Sequence, residues 1–265
     1  MPPERPFLTA RWTDLLLLNF EVPPAAIARL APPGTEPDLF DGRAYVSVVG
    51  FLFRDTRILG VRAVGHQRFE EVNLRYYVLR QEGNELRRGV VFEREMVDRP
   101  AVTAMARWIY GEQYVTRRMR SAVRNDGATL APNDTLAYEW QTGRRGRRRW
   151  NRMGGRAATP LEPAAPGSLP EFLIEHYWGY THGRDGETRE YRVAHRPWRV
   201  AAVVDVVWDC DLAATYGGSP LAEYLASPPE LAFVADGSAV QVFRGRAIDV
   251  RGRKLVGTSP LPQYA

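Results

Sequence analysis

The sequence predicts a β-rich α+β protein: many short strands closed into a barrel or sandwich, with a few short helices. Three observations carry that expectation. Turn residues punctuate the chain at intervals of about 8–12 residues, the spacing of sheet proteins rather than of strand–helix alternation. Between them lie apolar runs such as Ala44–Arg54 and Val200–Trp208, whose β-branched and aromatic residues suit a pleated, packed surface. Helical periodicity is confined to short stretches, so the pattern gives about ten or eleven strands against three or four helices.

Arg11–Val22 reads as a first strand and Pro23–Ala31 as a short helix, with proline in its first turn. Asp41-Gly42 turns the chain into the strand Ala44–Arg54, and Gly60–Gly65 is a loop delivering His66. Glu70–Arg80 and Gly89–Val97 read as an antiparallel hairpin around Gln81–Asn84. Pro100–Tyr110 has Ala101, Met105, Trp108 and Ile109 at helical spacing, and Gly111 ends it. Gln113–Val123 and Ala128–Trp140 are strands split by Asn125-Asp126-Gly127, followed by a basic turn and a strand near Trp150–Arg156. Pro160, Pro163 and Pro166 mark a surface connection before a short helix at Leu169–His176. Tyr177–Thr181 and Thr188–Ala194 flank a glycine turn, and Val200–Trp208 is a buried strand. Asp211–Ala226 is helical or turn-like, and Leu231–Ala235 with Ala239–Arg244 makes a last hairpin around Asp236-Gly237. The whole chain, 1–265, is expected to be one domain, because strands on either side of the proline-rich connection would lack partners alone. Residues 1–6 and the tail after 250 are expected to be flexible.

Composition narrows the function classes. The 265 residues, 45% hydrophobic and 25% charged, can bury a sizeable core. The single cysteine, Cys210, excludes an internal disulfide framework and any all-cysteine metal site, which fits a cytoplasmic protein. Leu15–Leu18 is too short for a membrane span. The formal charge is +5, yet the basic residues are almost all arginine, a bias of genomes rich in G and C rather than a nucleic-acid signature. The cluster Arg144–Arg149 lacks an aromatic platform, so nucleic acid is not the expected partner. Walker, dinucleotide, nucleophile-elbow and zinc-peptidase motifs are absent. The histidines His66, His176, His182 and His195 are scattered, and neither a metal nor a cofactor is expected.

The stretch Phe69–Tyr77 stands out. As a strand it sets Phe69, Glu71, Asn73, Arg75 and Tyr77 on one face and Glu70, Val72, Leu74 and Tyr76 on the other. A carboxylate, an amide and a guanidinium then share one surface. Facing a barrel interior, Arg75 would hold an anion in a bidentate fork, Glu71 would move a proton and Asn73 would orient a ligand. Facing outward, Glu71 and Arg75 would pair at the surface for less than about 1 kcal/mol. As a buried network, the row would fix strand register only.

Phe69-x-Glu71-x-Asn73-x-Arg75-x-Tyr77 resembles the signature of the YqjF-like domain of unknown function, family 2071. Further stretches agree: Trp12 with Asn19-Phe20, Pro33-Gly34-Thr35 with Asp38, Gly42–Ser47, Thr56-Arg57 and Tyr191–Trp198. That family is similar to acetoacetate decarboxylase, which implies a bent antiparallel β-barrel with a central cavity. In the decarboxylase a helix leads to Gly-Arg-Glu-x-x-Gly-x-Pro-Lys-Lys. Here Arg107 and Gly111 correspond, and Pro-Lys-Lys becomes Gln113-Tyr114-Val115. The Schiff-base lysine and its neighbour are therefore missing, and the lone lysine, Lys254, lies outside the match. The resemblance implies a cavity lined by Glu71 and Arg75, with Asn73, Tyr77, His66, Glu112 and Tyr114 contacting a small, anionic carbonyl or carboxylate ligand. It excludes imine chemistry at that position. The competing expectation is a non-catalytic binding or scaffolding protein whose polar row is structural.

Overall fold

The computed structural model describes residues 4–248 except 64, 66, 110–112, 124–128, 145, 184 and 185. The first half of the chain runs β1 (Leu8–Val22), α1 (Pro24–Leu30), β2 (Glu36–Pro37), β3 (Ala44–Ile58), β4 (Val61–Arg62), β5 (Arg68–Glu82), β6 (Glu85–Val97), α2 (Pro100–Ile109), β7 (Tyr114–Thr116), β8 (Met119–Ala122) and β9 (Thr135–Thr142). The second half runs β10 (Arg149–Ala157), β11 (Glu162–Pro163), α3 (Leu169–Ile174), β12 (Trp178–His182), β13 (Thr188–His195), β14 (Arg199–Asp209), α4 (Leu212–Tyr216), a 3-10 turn at Ala222–Ala226, β15 (Leu231–Val242) and β16 (Arg246–Ile248). The long strands form a bent sheet in the order β13-β12-β6-β5-β3-β1-β15, and a β13–β15 pairing closes it into a ring. All ring contacts are antiparallel except β12 with β6, which are parallel over Trp178–Gly89 and Gly179–Val90.

From β15 the sheet continues through β14, β10, β9 and β8, and this second layer folds back over the ring. It buries the outer faces of β1, β3 and β5. Leu16, Leu18, Val48, Val72, Leu74 and Tyr76 pack there with Tyr138, Trp140 and Met153. The inner faces, including Leu15, Leu17, Val49, Phe51, Phe53 and Phe69, form a separate core inside the ring. Strands buried on both sides read as continuous apolar runs, which is why Leu15–Leu18 is uninterrupted.

Several sequence expectations need correction. The Gly60–Gly65 loop contains β4, which pairs back onto β3 through Leu59 and Gly60, both at positive φ. The strand expected at Gln113–Val123 is broken into β7 and β8, which join different neighbours. Val200–Trp208 is a strand but not a buried one: Val204, Val206 and Val207 are exposed. Its apolar run reflects β propensity rather than burial, because β14 leaves β15 after Ala202 to pair with β10. Asp236-Gly237 is no hairpin turn. β15 passes straight through it, and Gly237 (φ 69°) lies where a Cβ would come 2.0 Å from the Trp12 carbonyl oxygen. The close approach of β1 demands glycine, and the Asp236 carboxylate meanwhile accepts from the Arg199 backbone N–H at 3.0 Å. The Asn125–Gly127 turn and the tail after 250 lie outside the described residues.

The two layers meet at Gly50 of β3. A Cβ there would stand 2.5 Å from the ring of Tyr138. Tyr138 cannot retreat, being fully buried with its hydroxyl donated to the Asp14 carbonyl at 2.6 Å. Gly50→Ala is expected to destabilise by about 1–3 kcal/mol through overpacking, read as a lowered urea midpoint at unchanged slope. An unshifted midpoint would show that the layers are not in tight register.

Candidate functional site

The polar row of β5 points into the ring. Phe69, Glu71, Asn73 and Arg75 line a cavity of about 180 Å³, together with Trp12, Phe51, Phe53, Glu95, Tyr114, His176, His195 and Trp198. Glu71 and Asn73 are each 2% exposed and Arg75 is 8% exposed. A surface ion pair is thereby excluded. Tyr77 is buried behind Arg75 and is not part of the cavity wall. His66 and Glu112 lie outside the described residues.

Two hydrogen-bonded groups divide the row. At one end Asn73 Nδ2 donates to Glu71 Oε1 at 3.0 Å, and the Tyr114 hydroxyl donates to Glu71 Oε2 at 2.9 Å. Tyr114 reaches this point because β7 lies parallel to β6, with Tyr114 beside Glu95. At the other end Arg75 Nε donates to the Tyr77 hydroxyl at 3.3 Å and a terminal nitrogen donates to the Leu173 carbonyl at 3.1 Å. Tyr77 and Ser47 oxygens are 2.6 Å apart, and Ser47 donates its one hydroxyl hydrogen to Asn19 Oδ1 at 2.6 Å. Tyr77 must therefore be the donor to Ser47, leaving its oxygen to accept from Arg75. Asn19 Nδ2 closes the chain on the Leu231 carbonyl at 3.0 Å.

α3 supplies the other anchor. Ser168 caps its N-terminus by accepting from the Glu171 N–H, and Pro170 sits in its first turn. Phe172, Leu173 and Ile174 are buried against the ring. The Leu173 carbonyl lies in the final turn, where intrahelical partners run out, and Arg75 satisfies it. The chain then reaches His176, whose Nε2–H donates to Asp38 Oδ2 at 3.0 Å. Arg88 Nε donates to the same oxygen at 2.7 Å. Burial pushes the His176 imidazole down to about 4, reinforced by the positive charges of Arg88 and Arg75 and only partly offset by Asp38. His176 is thus neutral near pH 7. His195, stacked between Tyr177 and Trp198 with centroids at 4.7 and 4.3 Å, is also lowered by burial. Among the described residues no three His, Cys, Asp or Glu side chains converge as metal ligands.

Sequence reasoning missed Glu95, Asp38 and His176 as neighbours of the row. Strand alternation from Val90 and Phe92 would turn Glu95 outward. A register shift opposite Leu74 and Arg75 leaves Glu93 as an extra residue, which brings Phe92 and Glu95 to the same face. No local pattern predicts that shift.

The chain matches the family described as an uncharacterized conserved protein (COG2071), DUF2071, over residues 9–239, and it belongs to that family. No curated protein sequence matches it significantly. Solved structures of similar fold include the enduracididine biosynthesis enzyme MppR complexed with the condensation product of pyruvate and imidazole 4-carboxaldehyde. It is 16% identical, with TM-score 0.60, 95% of this chain covered and 92% of that one. An acetoacetate decarboxylase-like enzyme from Sphingomonas wittichii RW1 is 15% identical, with TM-score 0.60 and coverages of 91% and 92%. Acetoacetate decarboxylase from Legionella pneumophila is 12% identical, with TM-score 0.57 and coverages of 93% and 88%. The bent antiparallel barrel of acetoacetate decarboxylase-like type is therefore the fold of this chain.

A neutral His176 has a stability consequence. The unfolded imidazole takes a proton near about pH 6.5, the folded one only near about 4. Between those values the unfolded state binds more protons, so stability falls as pH falls. His176→Gln removes that contribution. The stability difference between wild type and variant is expected to shrink by about 3 kcal/mol between pH 7 and pH 4, measured by urea unfolding. A constant difference would mean that His176 is not held neutral.

Proposed function

We propose that this DUF2071 protein binds a small carboxylate or carbonyl anion inside its ring, with Arg75 as the anchor, and performs no Schiff-base chemistry. One observation carries the reading. Arg75 is a buried guanidinium that makes no ion pair with a carboxylate among the described residues. Its hydrogen-bond partners are a phenol and a main-chain carbonyl, while its side chain contributes to the cavity wall. An uncompensated buried charge costs several kcal/mol. An incoming carboxylate would offset that cost and match the guanidinium fork.

The argument against an imine comes from Tyr114 and Val115, which stand where the decarboxylase motif has its lysines. An imine needs an amine nucleophile, and a phenol cannot supply one. Where chemistry follows binding, Glu71 and the Tyr114 hydroxyl donating to it are the pair suited to move a proton. The scaffolding alternative draws on the same Arg75 contacts, since caps on Tyr77 and Leu173 also serve structure.

Isothermal titration with matched monocarboxylates and their primary amides separates the two. Acids are expected to bind and the amides not, and Arg75→Gln should weaken acid binding by about 30-fold or more. Equal binding of acid and amide, or an unaffected Arg75→Gln, would sink the anchor. Borohydride treatment in the presence of a keto acid should leave the protein mass unchanged; a reduced adduct would overturn the exclusion of an imine.

A further inference from the structure

The cavity is more aromatic than a short oxo acid requires. Across the β3–β5 pairing Arg75 lies opposite Ser47, Asn73 opposite Val49, Glu71 opposite Phe51, and Phe69 opposite Phe53. On β3 the wall facing the row thus changes from Ser47 through Val49 to Phe51 and Phe53, from polar to aromatic. Trp12, Phe51, Phe53 and Phe69 form one cluster on the cavity wall. Centroid distances are 5.2 Å for Trp12–Phe51, 5.3 Å for Phe51–Phe53 and 4.5 Å for the stacked pair Phe53–Phe69. The Arg75 guanidinium leans the opposite way, towards Tyr77 and Leu173. At about 3.3 Å per residue, the backbone at Arg75 and the Glu71–Phe51 level are roughly 13 Å apart.

A short keto acid on Arg75 would leave the aromatic end empty or wet. Water gains little there, because apolar cavities of about 150 Å³ stay dry yet accept a benzene ring. A cavity of about 180 Å³ has room for a ring on an alkyl arm. We infer that the ligand is an arylalkanoate, its carboxylate on Arg75, its arm passing Asn73 and Glu71, and its ring among Trp12, Phe51 and Phe53. The inference rests on the proposal that Arg75 binds a carboxylate and adds the identity of the rest of the molecule. Edge-to-face and offset contacts would continue those already present in the cluster. The ring would also cover apolar wall that no described side chain covers.

Titration calorimetry on the full-length wild type, with intrinsic tryptophan fluorescence as a second readout, tests this directly. The probes are 5-phenylpentanoate, whose extended arm spans the separation between Arg75 and the aromatic cluster, butanoate, pyruvate and 5-phenylpentan-1-ol. The phenyl acid is expected to bind about 30-fold or more tightly than butanoate or pyruvate, from burial of the ring. It should also outrank the alcohol by a similar factor. Butanoate or pyruvate binding as tightly as the phenyl acid would overturn the arylalkanoate and leave the carboxylate anchor standing. The alcohol binding as tightly as the acid would overturn both the anchor and the arylalkanoate. Absence of binding by all four would do the same. Phe51→Ala should reduce the preference for the phenyl acid over butanoate by at least about threefold. The wild-type series decides the matter even if that variant folds poorly.

Discussion

A guanidinium buried between the strands of the ring and α3 sets the terms for the ring interior. Arg75 is only 8% exposed, so most of its donors need an internal partner or a ligand. The fold meets part of that demand with a relay of fixed direction: Arg75 to Tyr77, Tyr77 to Ser47, Ser47 to Asn19, Asn19 to the Leu231 carbonyl. Those residues sit on β5, β3, β1 and β15, four consecutive strands of the ring. The relay therefore ties the register of half the ring to the orientation of one cation. α3 completes the arrangement by turning its last carbonyls towards the same group.

The same logic explains why His176 is neutral. It lies between two arginines, Arg75 and Arg88, and both disfavour a third positive charge. Asp38 is committed to Arg88 as well as to the imidazole Nε2–H, so its single charge is shared. A positive field remains at this end of the cavity. The acidic groups Glu71 and Glu95 are grouped at the other end with Asn73 and Tyr114. A buried cation and a buried carboxylate on one strand face would gain most by direct contact. Instead each is held by other groups, Glu71 by Asn73 and Tyr114 and Arg75 by Tyr77 and the Leu173 carbonyl.

How much of the fold and site is legible in the sequence follows from the range of the interactions. The alternation of β5 is unbroken from Phe69 to Tyr77, so a period of two is enough to put Glu71, Asn73 and Arg75 on one surface. That the surface faces inward follows from the resemblance to a barrel family, not from the alternation. Trp12, Asn19, Asp38, Ser47 and Trp198 also fall within the motifs of that resemblance, but nothing local reveals that they converge on the row. His176 and Asp38 are 138 residues apart in the chain, a pairing that periodicity cannot see. Glu95 is hidden by the extra residue in β6. Val200–Trp208 and Asp236-Gly237 mislead for a related reason: an apolar run reports strand propensity as readily as burial, and Asp-Gly serves a close backbone approach as readily as a turn.

Tyr114 brings these threads together. At the position that the motif resemblance aligns with the decarboxylase lysine, this chain has a phenol hydrogen-bonded to Glu71. A lysine there would be forced towards a cation–carboxylate pair with Glu71. A tyrosine instead gives the carboxylate a hydroxyl donor. Arg75 is the only lysine or arginine among the described residues of the cavity wall. On the proposed reading, an aromatic residue at this position does two things at once. It leaves no amine there, and it adds a ring to a wall that already carries Trp12, Phe51 and Phe53. In that reading the same side chain accounts both for the absence of imine chemistry and for a cavity suited to an apolar acid.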